Sequence, residues 1–149
     1  RLKSTFQISE KSARENMKLV VKYCSEKYGD QENVVRLIKG FNPKKIVETL
    51  PTSKLTAYSE NKGEKIAFCL AKVKGNDDDL IDMNTLTFVA LHELAHVATK
   101  SIGHTKEYWD NFKFLLIQAE KINIYKPIDY SKQQKSYCGM NITHNPYYD

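Results

Sequence analysis

Residues His92-Glu93-Leu94-Ala95-His96 set two histidines four positions apart, with a glutamate directly after the first, inside a stretch that is apolar on most sides. On an α-helix, positions four apart lie one above the other, so both imidazoles can reach one zinc ion at about 2.0–2.1 Å. Glu93 then stands where a carboxylate takes a proton from a water that the ion has made acidic. The competing explanation is that His and Glu merely solvate an exposed helix. Leu86, Val89, Ala90, Leu91, Leu94, Ala95, Val97 and Ala98 argue against it, because they predict a largely buried helix in which imidazoles and carboxylates need partners.

A catalytic zinc site takes three protein ligands and keeps one position open. His104 is the preferred third ligand. The helix is expected to run to about Ser101, where Ile102-Gly103 breaks it, and a glycine in the left-handed conformation turns His104 back toward the first two histidines. Thr105 then caps a second helix, Lys106 to Lys121, which carries Tyr108, Trp109, Phe112, Leu115, Leu116 and Ala119 toward the core. The rival ligand is Glu120, 24 residues beyond His96 on that helix, with Glu107 and Asp110 as weaker candidates. His144, the remaining histidine, falls in a polar tail.

A chain of 149 residues with 41% hydrophobic content fits one domain, 1–149, with a real core. No stretch is long and apolar enough for a membrane helix and no signal-peptide pattern opens the sequence, which starts at Arg1 and so says little about an upstream targeting segment; the expected setting, intracellular or virion-associated, comes from the cysteines. Cys24, Cys69 and Cys138 are odd in number, lack zinc-knuckle spacing and read as reduced thiols. The Asn141-Ile142-Thr143 triplet matters only for a secreted chain.

The net charge of +5 is concentrated early: residues 1–50 hold eleven Lys and Arg against six Asp and Glu, and residues 51–100 hold six against seven. On the first helix Lys3, Lys11, Arg14, Lys18 and Lys22 face away from a stripe of Met17, Val20, Val21, Cys24 and Tyr28. A solvated face accounts for that pattern, and weak DNA association through it is the sharper alternative, unsupported by any nucleic-acid-binding motif.

Ser12-x-x-Glu15 reads as a capping box for the first helix, which ends near Gly29. A second helix holds Val34, Val35, Leu37 and Ile38 up to Gly40, and Asn42-Pro43 opens a brief third turn. Leu55 to Ser59, a turn at Glu60-Asn61-Lys62-Gly63, and Lys65 to Val73 form a β-hairpin. Gly75 to Asp79 is an acidic loop without the ligand spacing of an EF-hand. Asp82 or Asn84 caps the motif helix. Residues 123–149, with Tyr125, Tyr130, Tyr137, Tyr147 and Tyr148, suit an irregular wrap over the core.

The pentapeptide and the later run Gly103-His104-Thr105-Lys106-Glu107-Tyr108-Trp109 resemble the active-site segment of the WLM and SprT-like metallopeptidases, and more loosely small zinc peptidases of large DNA viruses. Seven residues separate His96 from His104, so the connecting turn is longer than is usual in those families. The resemblance implies a minimal zincin fold of α+β class: N-terminal helices, a small antiparallel sheet whose edge, near 63–73, runs beside the motif helix, and a following core helix. It also implies proteolysis of protein crosslinked to DNA.

The residues predict a zinc-dependent metalloprotease with His92, His96 and His104 on Zn²⁺, Glu93 as general base and then proton donor, and a protein or peptide substrate added as a strand to the hairpin edge. Tyr137 or His144 is the candidate stabiliser of the oxyanion. The alternatives are a catalytically silent zinc-containing structural protein and a DNA-associated accessory protein that uses Arg14, Lys18 and Lys22.

Overall fold

Helix α3 (Met83–Ala98), which carries the pentapeptide, is the element around which the others are laid. A computed structural model describes residues 2–48, 57–60, 65–68, 82–137 and 140–149. The Asp82 carboxylate starts α3 by accepting from Thr85 N–H and Thr85 Oγ1, both at 2.9 Å, and so satisfies a backbone donor that the helix leaves free. Asn84 does different work. Its amide clasps the Lys126 backbone in both directions, at 2.9 and 2.8 Å, and ties the start of α3 to the tail.

Helices α1 (Leu2–Tyr28), α2 (Glu32–Gly40) and α4 (Lys106–Lys121) pack against α3. Ala13, Met17, Val20 and Cys24 of α1 are buried, a spacing of four and three that lines one helix face. Ser12 lies well inside α1, so the expected capping box caps nothing; with no glycine or proline before Gly29, nothing breaks the helix upstream of it. Val34 and Leu37 bury one side of α2 and leave Ile38 exposed.

Three strands form a mixed sheet in the order β1-β3-β2: β1 (Ile46–Glu48), β2 (Ala57–Glu60) and β3 (Lys65–Phe68). The antiparallel β2/β3 pair is the predicted hairpin, with Ala57 opposite Phe68 and Glu60 opposite Lys65. Its turn, 61–64, the rest of the predicted strand and the acidic loop lie outside the described residues. Strand β1 was not expected: Pro43–Lys45 makes one 3₁₀ turn, and the β-branched pair Ile46-Val47 then runs parallel to β3. Both β2 and β3 lie against α3.

The tail is more regular than an irregular wrap. Strands β4 (Lys135–Tyr137) and β5 (Met140–Ile142) pair antiparallel, and Pro146–Tyr148 forms a 3₁₀ turn on α4. Asn145, buried, donates to Tyr125 Oη at 3.1 Å and Ile128 O at 2.9 Å and accepts from Tyr147 N–H at 3.0 Å, while the Tyr125 and Tyr130 hydroxyls meet at 3.2 Å. These bonds satisfy polar atoms that burial would otherwise penalise and fasten the tail to the core. The chain is α+β and mostly helical, and none of its described helices is long and apolar enough to cross a membrane.

Candidate metal centre

The three predicted ligands converge. His92 and His96 stand one turn apart on α3, His104 comes from the loop 99–105, and the ring centroids form a nearly equilateral triangle with sides of 5.3, 5.3 and 5.1 Å. Their ligand atoms lie within 4.8 Å of one another, close enough for small side-chain rotations to bring all three to the ~2.0–2.1 Å of a zinc–imidazole bond. His92 and His96 are half-buried and His104 is exposed, so the triangle opens to solvent on the loop side.

Glu93 is only 2% exposed, and its Oε2 lies 3.7 Å from His92 Nε2. Burial pushes its carboxyl up to about 8. Burial, reinforced by the neighbouring His96 and His104, pushes His92 down to about 3. An imidazole held neutral offers a lone pair, and a buried carboxyl whose anion is costly lacks a compensating positive charge. Three imidazoles whose ligand atoms converge beside one such carboxyl therefore fit a divalent cation, and no thiolate or carboxylate among the described residues joins the set.

The loop that brings His104 in is held by side chains. Helix α3 ends at Ala98, short of the expected Ser101, because its last carbonyls are taken: Thr99 Oγ1 donates to Ala95 O at 2.6 Å and Arg36 Nε to Ala98 O at 2.8 Å. Gly103 has φ +87°, the left-handed turn the sequence predicted. Glu107 accepts from Lys100 N–H at 2.8 Å, Ser101 N–H at 3.0 Å and Ser101 Oγ at 2.7 Å, with Arg36 Nη2 at 3.4 Å. Ser101 Oγ also bonds Thr105 Oγ1 at 2.6 Å, and Thr105 caps α4. The Lys100 N–H, followed by the Ser101 bonds, holds the Glu107 carboxyl down at about 2. Glu107 is thus an anchor of the loop and not a ligand.

Tyr108 forms the platform beneath the imidazoles. Its buried ring lies 4.4 Å from His96, 4.7 Å from His104 and 5.6 Å from His92, and its hydroxyl donates to His92 O at 3.1 Å. From the sequence it was expected only in the core; the available signal was a large aromatic one turn after the cap that follows His104.

Other candidates fall elsewhere. Glu120 accepts from the Tyr147 hydroxyl at 2.6 Å and faces a separate surface hollow with Asn84 and Lys126, so it does not compete with His104. Asp110 pairs with Lys106 at 2.9 Å. Tyr137, buried, and His144, exposed, both line a cavity of about 300 Å³ that His92 and Glu93 also border. The His144 ring bonds the Asp149 carboxylate at 3.2 Å and meets Trp109 edge-on at 5.7 Å. Arg14 is not part of a free basic face: it donates to Pro43 O at 3.0 Å and Ile46 O at 3.4 Å, leaving Lys18, paired with Glu15 at 3.2 Å, and Lys22 exposed. Cys24 is a buried thiol pushed up to about 11, hence unreactive, while Cys69 and Cys138 lie outside the described residues.

The family model described as WLM domain matches residues 11–147. The chain is 39% identical over 97 residues to Uncharacterized protein R325 of Acanthamoeba polyphaga mimivirus, which covers 65% of this chain and 48% of that protein. It is 37% identical over 85 residues to Uncharacterized protein 136R of Invertebrate iridescent virus 6, 55% of this chain and 44% of that one. Against Uncharacterized protein 042R of Invertebrate iridescent virus 3 the identity is 36% over 100 residues, 67% and 57% of the two chains. The chain thus spans about half the length of these viral relatives. No solved structure matches it.

Proposed function

We propose that this chain, which belongs to the WLM domain family, is a zinc-dependent peptidase of minimal zincin type, one domain in which His92, His96 and His104 hold the ion and Glu93 moves the protons. The observation that carries the reading is the solvent-open triangle of three imidazoles with a buried carboxyl at its edge. A structural zinc site is closed by four ligands, whereas three imidazoles with the exposed His104 on one side leave room for water and substrate.

Zinc bound there supplies Lewis acidity, which lowers the pKa of water and polarises the carbonyl to be attacked. Helix α3 orients His92 and His96, the Glu107-anchored loop orients His104, and the Tyr108 ring closes the underside against water. Glu93 takes the proton of the attacking water on a carboxylate oxygen and then hands it to the nitrogen that leaves. Burial leaves the Glu93 carboxylate short of a compensating positive charge, which a cation held by the three imidazoles would supply, so that the carboxylate would stand ionised to accept the proton and then pass it on. The viral origin of the relatives supports substrates among DNA-associated or virion proteins.

The test is Glu93→Gln. Hydrolysis of an unfolded protein substrate is expected to drop by about 10²–10⁴-fold with zinc content and circular dichroism unchanged. Full activity in the zinc-replete variant would reject the assignment of Glu93, and no hydrolysis of any protein substrate by the zinc-loaded unchanged chain would reject the peptidase reading.

A further inference from the structure

Helix α3 ends two residues after His96, although no glycine or proline stands between His96 and Ile102 to stop it. In a continuing helix the Ala95 carbonyl would accept the backbone N–H of residue 99. Instead the Thr99 N–H turns to His96 O at 3.3 Å and the Thr99 hydroxyl takes over Ala95 O at 2.6 Å. The backbone of Thr99 then leaves the helix extended, at φ −103° and ψ 133°. A side chain thus replaces a main-chain donor at the point of exit. That point matters to the metal centre, because each further turn would carry the chain about 5.4 Å along the axis and away from His96. His104 has only the loop 99–105 in which to return to a His96 ring 5.1 Å from its own.

The Thr99 hydroxyl reaches Ala95 O in one orientation, and a line of buried amides fixes it. Thr99 is 2% exposed and Asn111, on α4, is 8% exposed. Having given its proton to Ala95 O, the Thr99 oxygen accepts from Asn111 Nδ2 at 2.9 Å, and the same amide nitrogen reaches Ala98 O at 3.4 Å. Asn111 Oδ1 accepts from Asn33 Nδ2, on α2, at 3.0 Å, and Asn33 Oδ1 accepts from Val34 N–H at 2.8 Å. Each bond leaves the next group a single polarity, so the line from Asn33 through Asn111 and Thr99 to Ala95 is one directional unit. Arg36, one turn after Asn33, adds its bonds to Ala98 O and Glu107. Helix α2 thereby bears on both the end of α3 and the loop of His104.

We propose that Asn111 and Asn33 are positioning residues for the third ligand, acting through the Thr99 hydroxyl to fix where α3 releases the segment that carries His104. The proposal rests on the three imidazoles holding an ion and not on the reaction that ion serves, so its test reads metal binding rather than turnover. Zinc affinity of the full chain is measured by competition with a chelator, and the visible spectrum of the cobalt-loaded chain reports coordination geometry. Thr99→Val, which keeps nearly the same shape and deletes the hydroxyl, is expected to weaken zinc binding by about 10- to 100-fold and to alter the cobalt bands. Thr99→Ser returns the hydroxyl and should restore both. Asn33→Ala, at a half-buried position, leaves Asn111 Oδ1 without its donor and should weaken zinc binding in the same direction by less. Because the bonds form one line, adding Asn33→Ala to Thr99→Val should cost little more than Thr99→Val alone. A purely structural role would lower the denaturant midpoint of the metal-free variants while zinc affinity and cobalt spectrum stayed as they were, and that result overturns the proposal. Losses that simply add in the double variant overturn it as well. If Thr99→Val does not fold, Asn33→Ala decides on the same two readouts. Failure of the unchanged chain to bind zinc or cobalt sinks the metal centre and the proposal with it, whereas binding that ignores every one of these substitutions sinks the positioning role alone.

Discussion

Two of the three imidazoles in the centre are set by a helix and the third by a loop, and the two halves are built differently. His92 and His96 take their spacing from the backbone of α3, fixed by its buried faces and Asp82 cap, and both lie against the Tyr108 ring. His104 sits on an exposed loop whose shape depends on one carboxylate, Glu107, and on the groups that bond it. The helix half is rigid through main-chain repetition; the loop half is rigid only as long as a few side-chain hydrogen bonds persist. Preorganisation of an ion site is therefore local, and its weak point lies away from the motif.

The strongest challenge to that contrast removes a ligand from each half. His96→Ala and His104→Ala are both expected to lose zinc by more than any change outside the triangle, measured by metal content after dialysis; retention of zinc by either would remove that histidine from the site. The second concerns pH in the metal-free protein, where burial acts on the helix half. Glu93, at about 8 when folded against an ordinary 4.5, keeps its proton longer in the folded chain, so its stabilisation is complete below about 4.5 and is lost as pH rises toward 8. His92, at about 3 against 6.5, contributes stability that is complete above 6.5 and is lost as pH falls toward 3. The slopes oppose each other in between, so denaturant midpoints should form a plateau from about 4.5 to 6.5 and decline on both sides, with the alkaline decline absent in Glu93→Gln.

A third test acts on the loop alone. Glu107→Ala should weaken zinc binding by about 10- to 100-fold in a competition titration while leaving the helical content of α3 intact, and an unchanged affinity would show that the loop holds His104 without it. The smallest effect is expected from Gly103→Ala. A methyl group there meets nothing within 4 Å, so its cost is purely that of a positive φ, about 1–2 kcal/mol in thermal or chemical unfolding.

The same division explains what the sequence disclosed. The motif, its cap at Asp82 (one of two residues offered), the left-handed turn at Gly103 and the helix after Thr105 were legible, because each follows from short-range periodicity or from a residue with one dominant backbone role, whereas the end of α3 at Ala98 was not. Arg36 contacting Ala98 and Glu107 was not, since those contacts join α2 to residues 62 and 71 positions away and no local pattern announces them. Strand β1 escaped notice for a related reason: three residues next to a proline turn carry too little alternation to reveal a partner twenty positions downstream. Arg14 looked like surface charge by helical phase, yet its long side chain reaches back to two carbonyls near the sheet.

Asn145, locked between Tyr125, Ile128 and Tyr147, gives the tail a pivot of its own. The cavity wall formed by Tyr137 and Ile142 thus belongs to a tail that supplies none of the three converging imidazoles. Such modularity allows substitutions between 125 and 147 to reshape the cavity wall while His92 and His96 keep their places on α3.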